Sequence, residues 1–339
     1  MAFTHMYQKI PRTIAQNNLV LYRSSMSLRS LIYSPLRAFQ QLDSWQQIGI
    51  YVLLSLAIFA PFIPGSGWDF LEAYRRETLS RAYGGVTWNP YPAYWLFYPF
   101  ALLPPKLGFL FWNVFTAVCF IYAIHHAKAL FLPFALSLPA VWIFFSGQIE
   151  GVLALGLTLS LFSNPLAVGL GLTLLSLKPQ VGVFAILFVL LHRRNWRDLL
   201  VPVLVYLLSF AYWGWWIPGW LASILASNRS SYASMSLLPY SLILLPLLWI
   251  GRSSIKIWLL VESLIMPYFA VYSLAPVMGL GIPVWSYILL WALYIPAPFF
   301  EYRVPDYLVP LLLLGVFAWQ QWQSYKIAPI APIIENLND

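Results

Sequence analysis

Apolar runs of roughly a dozen to twenty residues recur along nearly the whole chain. They lie near 47–63, 105–124, 129–146, 149–163, 166–177, 180–192, 199–215, 236–250, 256–272, 284–299 and 306–324. A helix needs about 20 such residues to cross ~30 Å of hydrocarbon. In lipid, the backbone N–H and C=O groups must pair within the protein, so each run is expected to be helical. The composition agrees: 61% of residues are hydrophobic and 9% charged, whereas soluble domains are about half apolar and a quarter charged. The expected fold is an all-α polytopic membrane protein of about 11 transmembrane segments. The runs at 149–163, 166–177 and 180–192 are too short to cross comfortably, so they are expected to be broken helices inside a bundle or lining a cavity.

The net charge of +8 is not spread as a nucleic-acid surface would be, and no nucleic-acid partner is expected. Lys9, Arg12, Arg23, Arg29 and Arg37 precede the first apolar run; Arg193, Arg194 and Arg197 fill one short connection, and Arg252 and Lys256 another. Clusters beside spans mark cytoplasmic faces. Residues 27–39 also read as an amphipathic stretch on anionic lipid. The organisation expected is a basic cytoplasmic segment over 1–44, one transmembrane domain over 45–326 and a tail over 327–339. Residues 1–44 have no apolar core, so no cleavable signal peptide is expected. The single cysteine, Cys119, excludes an intramolecular disulfide and a cysteine-rich metal cluster. Counting spans from the basic clusters puts the 65–95 loop, Gln148 and Lys178 on one, outer side.

That loop reads GSGWDFLEAYRRETLSRAYGGVTWNPYPAYW, with Asp69, Glu72, Arg75, Arg76, Glu77 and Arg81 inside thirteen positions. Asp69 stands between Trp68 and Phe70, which can desolvate it and raise its pKa, as suits a general base. Glu72 follows three residues on, on the same face of an α-helix, and is the reserve carboxylate. Arg75, Arg76 and Arg81 can grip a phosphate bidentately, or simply pair with Glu72 and Glu77 on a solvated helix. Lys178 stands between two apolar helices, where a lysine faces a cavity or partner; it reads as a phosphate ligand or as a side chain snorkelling to the interface. Gln148 and Glu150 can contact sugar or acceptor, or cap a helix and glue the bundle. Trp68, Tyr91 and Trp95 can stack on a sugar or belong to the interfacial aromatic belt. The histidines His125, His126 and His192 lack a zinc ligand set, and no metal site is expected.

Together, Trp68-Asp69 after the first run, YPAYWLFYPFALLPPKLGFLFW (91–112), SGQIEG (146–151) and GLGLTLLSLKPQVGVFAILFVLLHRRNW (169–196) resemble glycosyltransferase family 87 in kind and order, over roughly residues 47–200. The resemblance implies a C-type membrane glycosyltransferase fold with an outer-face catalytic loop. It implies transfer of a hexose, mannose by resemblance, from a polyprenyl-phosphate donor to a lipid-linked or cell-surface glycan acceptor, with inversion. It also implies that Asp69 is the catalytic acid–base residue. No cofactor is expected, since a lipid monophosphate leaving group presents no diphosphate for a metal and the loops hold no carboxylate cluster suited to one. The partners expected are donor, acceptor and membrane lipids. The main rival reading is a transporter or flippase of lipid-linked sugar, which also uses broken helices; a scaffold that only binds such a lipid is another.

Overall fold

The computed structural model describes residues 42–80, 89–226, 235–296 and 305–327. The stretch at 27–39, Arg81 and the tail after 327 lie outside the described residues. Every regular element among the described residues is helical, with no strand.

Asp43 caps the first helix, Ser44–Phe59, its carboxylate accepting from Gln46 N at 2.8 Å. A 3-10 turn at Ala60–Phe62 ends it, and the Ser66 hydroxyl bonds Ala60 O at 2.7 Å to fold the chain back. A π-helical turn, Trp68–Arg75, and a short α-helix, Arg76–Ser80, follow. Pro92–Ala101 then leads through Pro104 and Pro105 into Pro105–Ala127. That helix has 23 residues, about 34 Å at 1.5 Å per residue. Near its start Phe109 packs on Phe70, and near its end His126 packs on Phe162. Arg193 donates to Phe162 O at 2.6 Å and pairs with Asp198. The Asp69 segment and the Arg193 cluster therefore lie toward opposite ends of this helix.

The short helices are Glu150–Ser160, Pro165–Ser176 and Pro179–Arg193. Asn164 caps the second through Leu166 N at 2.8 Å, and Pro165 and Pro179 sit where a missing N–H costs nothing. The first two press together backbone to backbone. A Cβ on Gly171 would stand 2.5 Å from Gly156 O and 2.5 Å from Ser160 N. Close approach at small residues is how helices adhere in lipid, where packing rather than water exclusion supplies the attraction.

Several runs are less continuous than their hydropathy predicts. The 129–146 run divides into Phe131–Ala135 and Leu138–Ser146, because Ser137 caps a new helix through Ala140 N at 3.3 Å. The 236–250 run is a 3-10 turn, Tyr240–Leu244, and one α-turn, Leu247–Ile250, separated near Pro246. The 256–272 run is α-helical only over Ile255–Ile265, with Pro267 just beyond. Among the described residues two helices, Ser44–Phe62 and Pro105–Ala127, are long and apolar enough to cross a membrane. The number is up to four if each of two bent pairs is one span; Leu138–Ser146 with Glu150–Ser160 bends by 118° and Trp196–Trp213 with Ile217–Leu225 by 88°. The remaining helices, Val284–Tyr294 and Leu308–Ile327 among them, complete an all-helical apolar bundle compatible with a membrane protein.

Candidate functional site

The 118° bend positions the polar centre. Four carbonyls at the end of a helix have no partner within it, and here the C-cap and two neighbouring elements supply donors to three of them. Gly147 N bonds Ile143 O at 2.8 Å, Asn113 Nδ2 bonds Phe144 O at 2.9 Å, and Gly67 N bonds Phe145 O at 2.7 Å. Trp112 Nε1 then bonds Gly147 O at 2.8 Å. Gly147 itself is left-handed at φ 83°, and a Cβ there would stand 2.6 Å from that of Phe70. Only glycine satisfies both conditions without strain. The turn delivers Gln148 and Glu150 inward, where they are buried with 2% and 0% exposure.

Gln148 is the hub. Its Nε2 donates to Asp69 Oδ2 at 2.6 Å, and its Oε1 accepts from the Tyr74 hydroxyl at 2.9 Å and from Lys178 Nζ at 3.4 Å. Lys178 Nζ also forms an ion pair with Glu150 Oε1 and lies 4.8 Å from the centre of the Tyr272 ring. Ser273 Oγ donates to the same Glu150 oxygen at 3.0 Å, while Glu150 Oε2 is buried without a hydrogen-bond partner. Tyr268 and Tyr272 hydroxyls meet at 3.2 Å. Lys178 sits at the N-cap of Pro179–Arg193, a helix end that disfavours a cation. Its place is set by Glu150 and Gln148.

Asp69 is the half-buried member of this chain. Burial raises its pKa above the ordinary 3.8, against the opposing pull of the Lys178 charge and the Gln148 hydrogen bond; Glu150 adds to the rise. Burial first, then the Asp69 and Glu150 charges, keeps the Tyr74 phenol protonated well above its usual range, so it remains a donor to Gln148.

The other expected residues stand apart from this chain. Glu72 is exposed, and the expected α-helical face shared with Asp69 does not form. A π-turn closes i to i+5 with roughly 4.4 residues per turn, so position i+3 rotates away and position i+5, Tyr74, comes round. No ion pair joins Glu72 to Arg75 or Arg76 among the described residues. Arg75 turns toward Leu103 O at 3.5 Å, with its Nε buried and without an acceptor, and Arg76 is exposed. Trp68 is 67% exposed. Tyr91 stacks on Trp216 at 4.9 Å and Trp95 on Trp213 at 4.7 Å. Those two rings belong to an aromatic wall against the 88° bend. Glu77 is buried and accepts from the Tyr94 hydroxyl at 2.6 Å.

Sequence reasoning missed Tyr74, Ser273 and Tyr272. Tyr74 comes round to Gln148 because Trp68–Arg75 is wound as a π-turn, which the sequence does not announce. The other two arrive from a segment about 120 positions after Glu150, and no local pattern announces them. Among the described residues no group of three His, Cys, Asp or Glu side chains is arranged to hold a metal. Arranged as it is, the centre offers a carboxylate with a raised pKa and an ammonium on the two ends of one amide. No family model, curated protein or solved structure matches this chain.

Proposed function

We propose that the chain is an integral membrane glycosyltransferase of C-type architecture, with about 11 membrane segments and its Asp69 end on the extracytoplasmic face of the cell membrane. It moves a hexose, mannose by resemblance, from a polyprenyl phosphate to a hydroxyl of a lipid-linked or cell-surface glycan. One observation carries the reading: Asp69 and Lys178 bond the two ends of Gln148. The acceptor hydroxyl gives its proton to Asp69 as its oxygen forms the new bond to the anomeric carbon. The bond from that carbon to the donor phosphate oxygen breaks, and its electron pair leaves on the phosphate. Attack opposite the leaving group inverts the anomeric centre. The Lys178 charge stabilises the phosphate as its charge develops. An apolar groove of about 380 Å³ between the first helix and Leu138–Ser146, lined by Ile48, Ser55, Phe59, Val141 and Phe145 among others, suits the isoprenoid tail. Phe145 O is bonded to Gly67, two residues before Asp69.

The test is sugar transfer by the purified chain from a polyprenyl-phosphate hexose to lipid acceptors in detergent. Product formation that depends on Asp69 supports the reading; lipid movement across vesicles without transfer supports the flippase alternative, for which the bent helix pair and the buried ion pair are the favouring observations. Sidedness has its own test. In a background with Cys119→Ala, an impermeant thiol reagent applied to intact cells is expected to label Arg76→Cys and spare Arg197→Cys. The reverse pattern removes the extracytoplasmic site.

The pH profile offers a further expected result. A general base works when ionised, so turnover should rise with pH through the Asp69 pKa. Gln148→Leu removes a hydrogen bond that favours the ionised form, so the acid limb should move to higher pH. Glu150→Gln removes a charge that disfavours it, so the limb should move lower. Turnover measured across the acid range checks both signs, and a limb that stays put in both variants would mean that Asp69 is not the titrating group.

A further inference from the structure

We infer that Glu150 acts as a built-in competitor for Lys178, so that the site discriminates a singly charged phosphodiester donor from the more highly charged phosphomonoester left after transfer. The inference rests on the reading that lipid phosphate binds beside Lys178. Lys178 has 3% exposure and Glu150 none, and the two are ion-paired. A phosphate reaching Nζ therefore shares that ammonium with Glu150.

The charges facing that ammonium can be named from each element around it. Asp69 comes from the π-turn, joined through Gln148; Glu150 opens its own helix; Tyr74 and Tyr272 contribute phenols and Ser273 a hydroxyl. Arg75 turns toward Leu103 O. With both carboxylates ionised, the centre carries one negative charge in excess. Glu150 Oε2 is buried without a hydrogen-bond partner, and in so buried a setting the carboxylate charge is felt by an anion that approaches Lys178.

The reaction increases the negative charge at this point. The donor diester carries one charge; breaking its bond to the sugar leaves a monoester of about −1.5 to −2 at neutral pH. The acceptor proton goes to Asp69, and Glu150 stays to repel the product more than it repels the donor. Glu150 thus tilts the exchange toward release of the spent lipid. It is a specificity-determining residue that acts through Lys178 and touches no reacting atom.

The experiment measures equilibrium binding of undecaprenyl phosphate and of undecaprenyl-phosphate mannose to the full chain in nanodiscs, for the wild type, Glu150→Gln and Glu150→Asp. Glu150→Gln is expected to tighten the monophosphate by about tenfold more than it tightens the diester. Glu150→Asp keeps the charge and should keep the wild-type ratio, which separates electrostatics from loss of shape. Equal effects on both lipids, or a ratio that shifts as much in Glu150→Asp, overturns the inference while leaving the transferase reading standing. If neither lipid binds any of the three proteins, phosphate recognition at Lys178 fails and the inference falls with it.

Discussion

Replacing Asp69 with asparagine is expected to lower sugar-transfer turnover by on the order of 10²–10⁴-fold while leaving donor affinity nearly unchanged. The asparagine oxygen still accepts from Gln148 Nε2, which now donates to Asp69 Oδ2, so the polar chain survives and only the proton acceptor is lost. Asp69→Glu should recover little, because the extra methylene displaces the carboxylate by about an ångström and such errors alone cost roughly 10²-fold. Glu72→Gln is the parallel control. Its exposed position predicts near wild-type turnover. An Asp69→Asn protein that transfers sugar at full rate, or a dead Glu72→Gln protein beside it, would show that the wrong carboxylate has been chosen.

The second large effect falls on stability before it falls on chemistry. Lys178→Met leaves Glu150 buried and uncompensated, and breaking one side of a buried pair costs about 3–5 kcal/mol. In a thermal melt the apparent Tm should fall by roughly 10 °C. Adding Glu150→Gln to Lys178→Met removes the stranded charge and should restore most of that loss, while donor use stays impaired. The two readouts separate scaffold from chemistry. If Lys178→Met melts with the wild type, the pair is not holding the fold; if the double variant uses donor normally, Lys178 does not serve the phosphate.

That prediction differs from what the sequence alone implies. Read along the chain, Lys178 has no acid beside it and looks free to meet a phosphate; in space, Glu150 is its partner. Twenty-eight positions separate them, and one turn with a left-handed glycine lies between Leu138–Ser146 and Glu150, so linear reading sees only two helix ends. The helices themselves were legible where punctuation is strong. Asn164-Pro165 and Lys178-Pro179 mark their starts to within a residue or two. Where apolar residues run through the break, as at Ser137 and Pro246, hydropathy masks it. Counting apolar runs puts Asp69, Gln148 and Lys178 on one side, and the structure joins them through Gln148. Glu72 leaves the Asp69 face because Trp68–Arg75 is wound as a π-turn, whereas α-helical periodicity would place the two together. Ser273 was beyond reach because its contact depends on the whole intervening bundle.

The spacing of the ion pair bears on how the protein is made. A lysine or a carboxylate entering a bilayer alone carries a penalty of about 2.5–3.5 kcal/mol at the centre of a span. Glu150 and Lys178 bracket a hairpin of two tightly packed helices, Glu150–Ser160 and Pro165–Ser176. On the proposed membrane reading, the two charged ends of that hairpin can meet at one level as it leaves the ribosome and partition as a neutral unit. Ser273 emerges 123 residues after Glu150, on the order of ten seconds later at usual synthesis rates. On that reading the newborn hairpin holds its own charges together until Ser273 arrives.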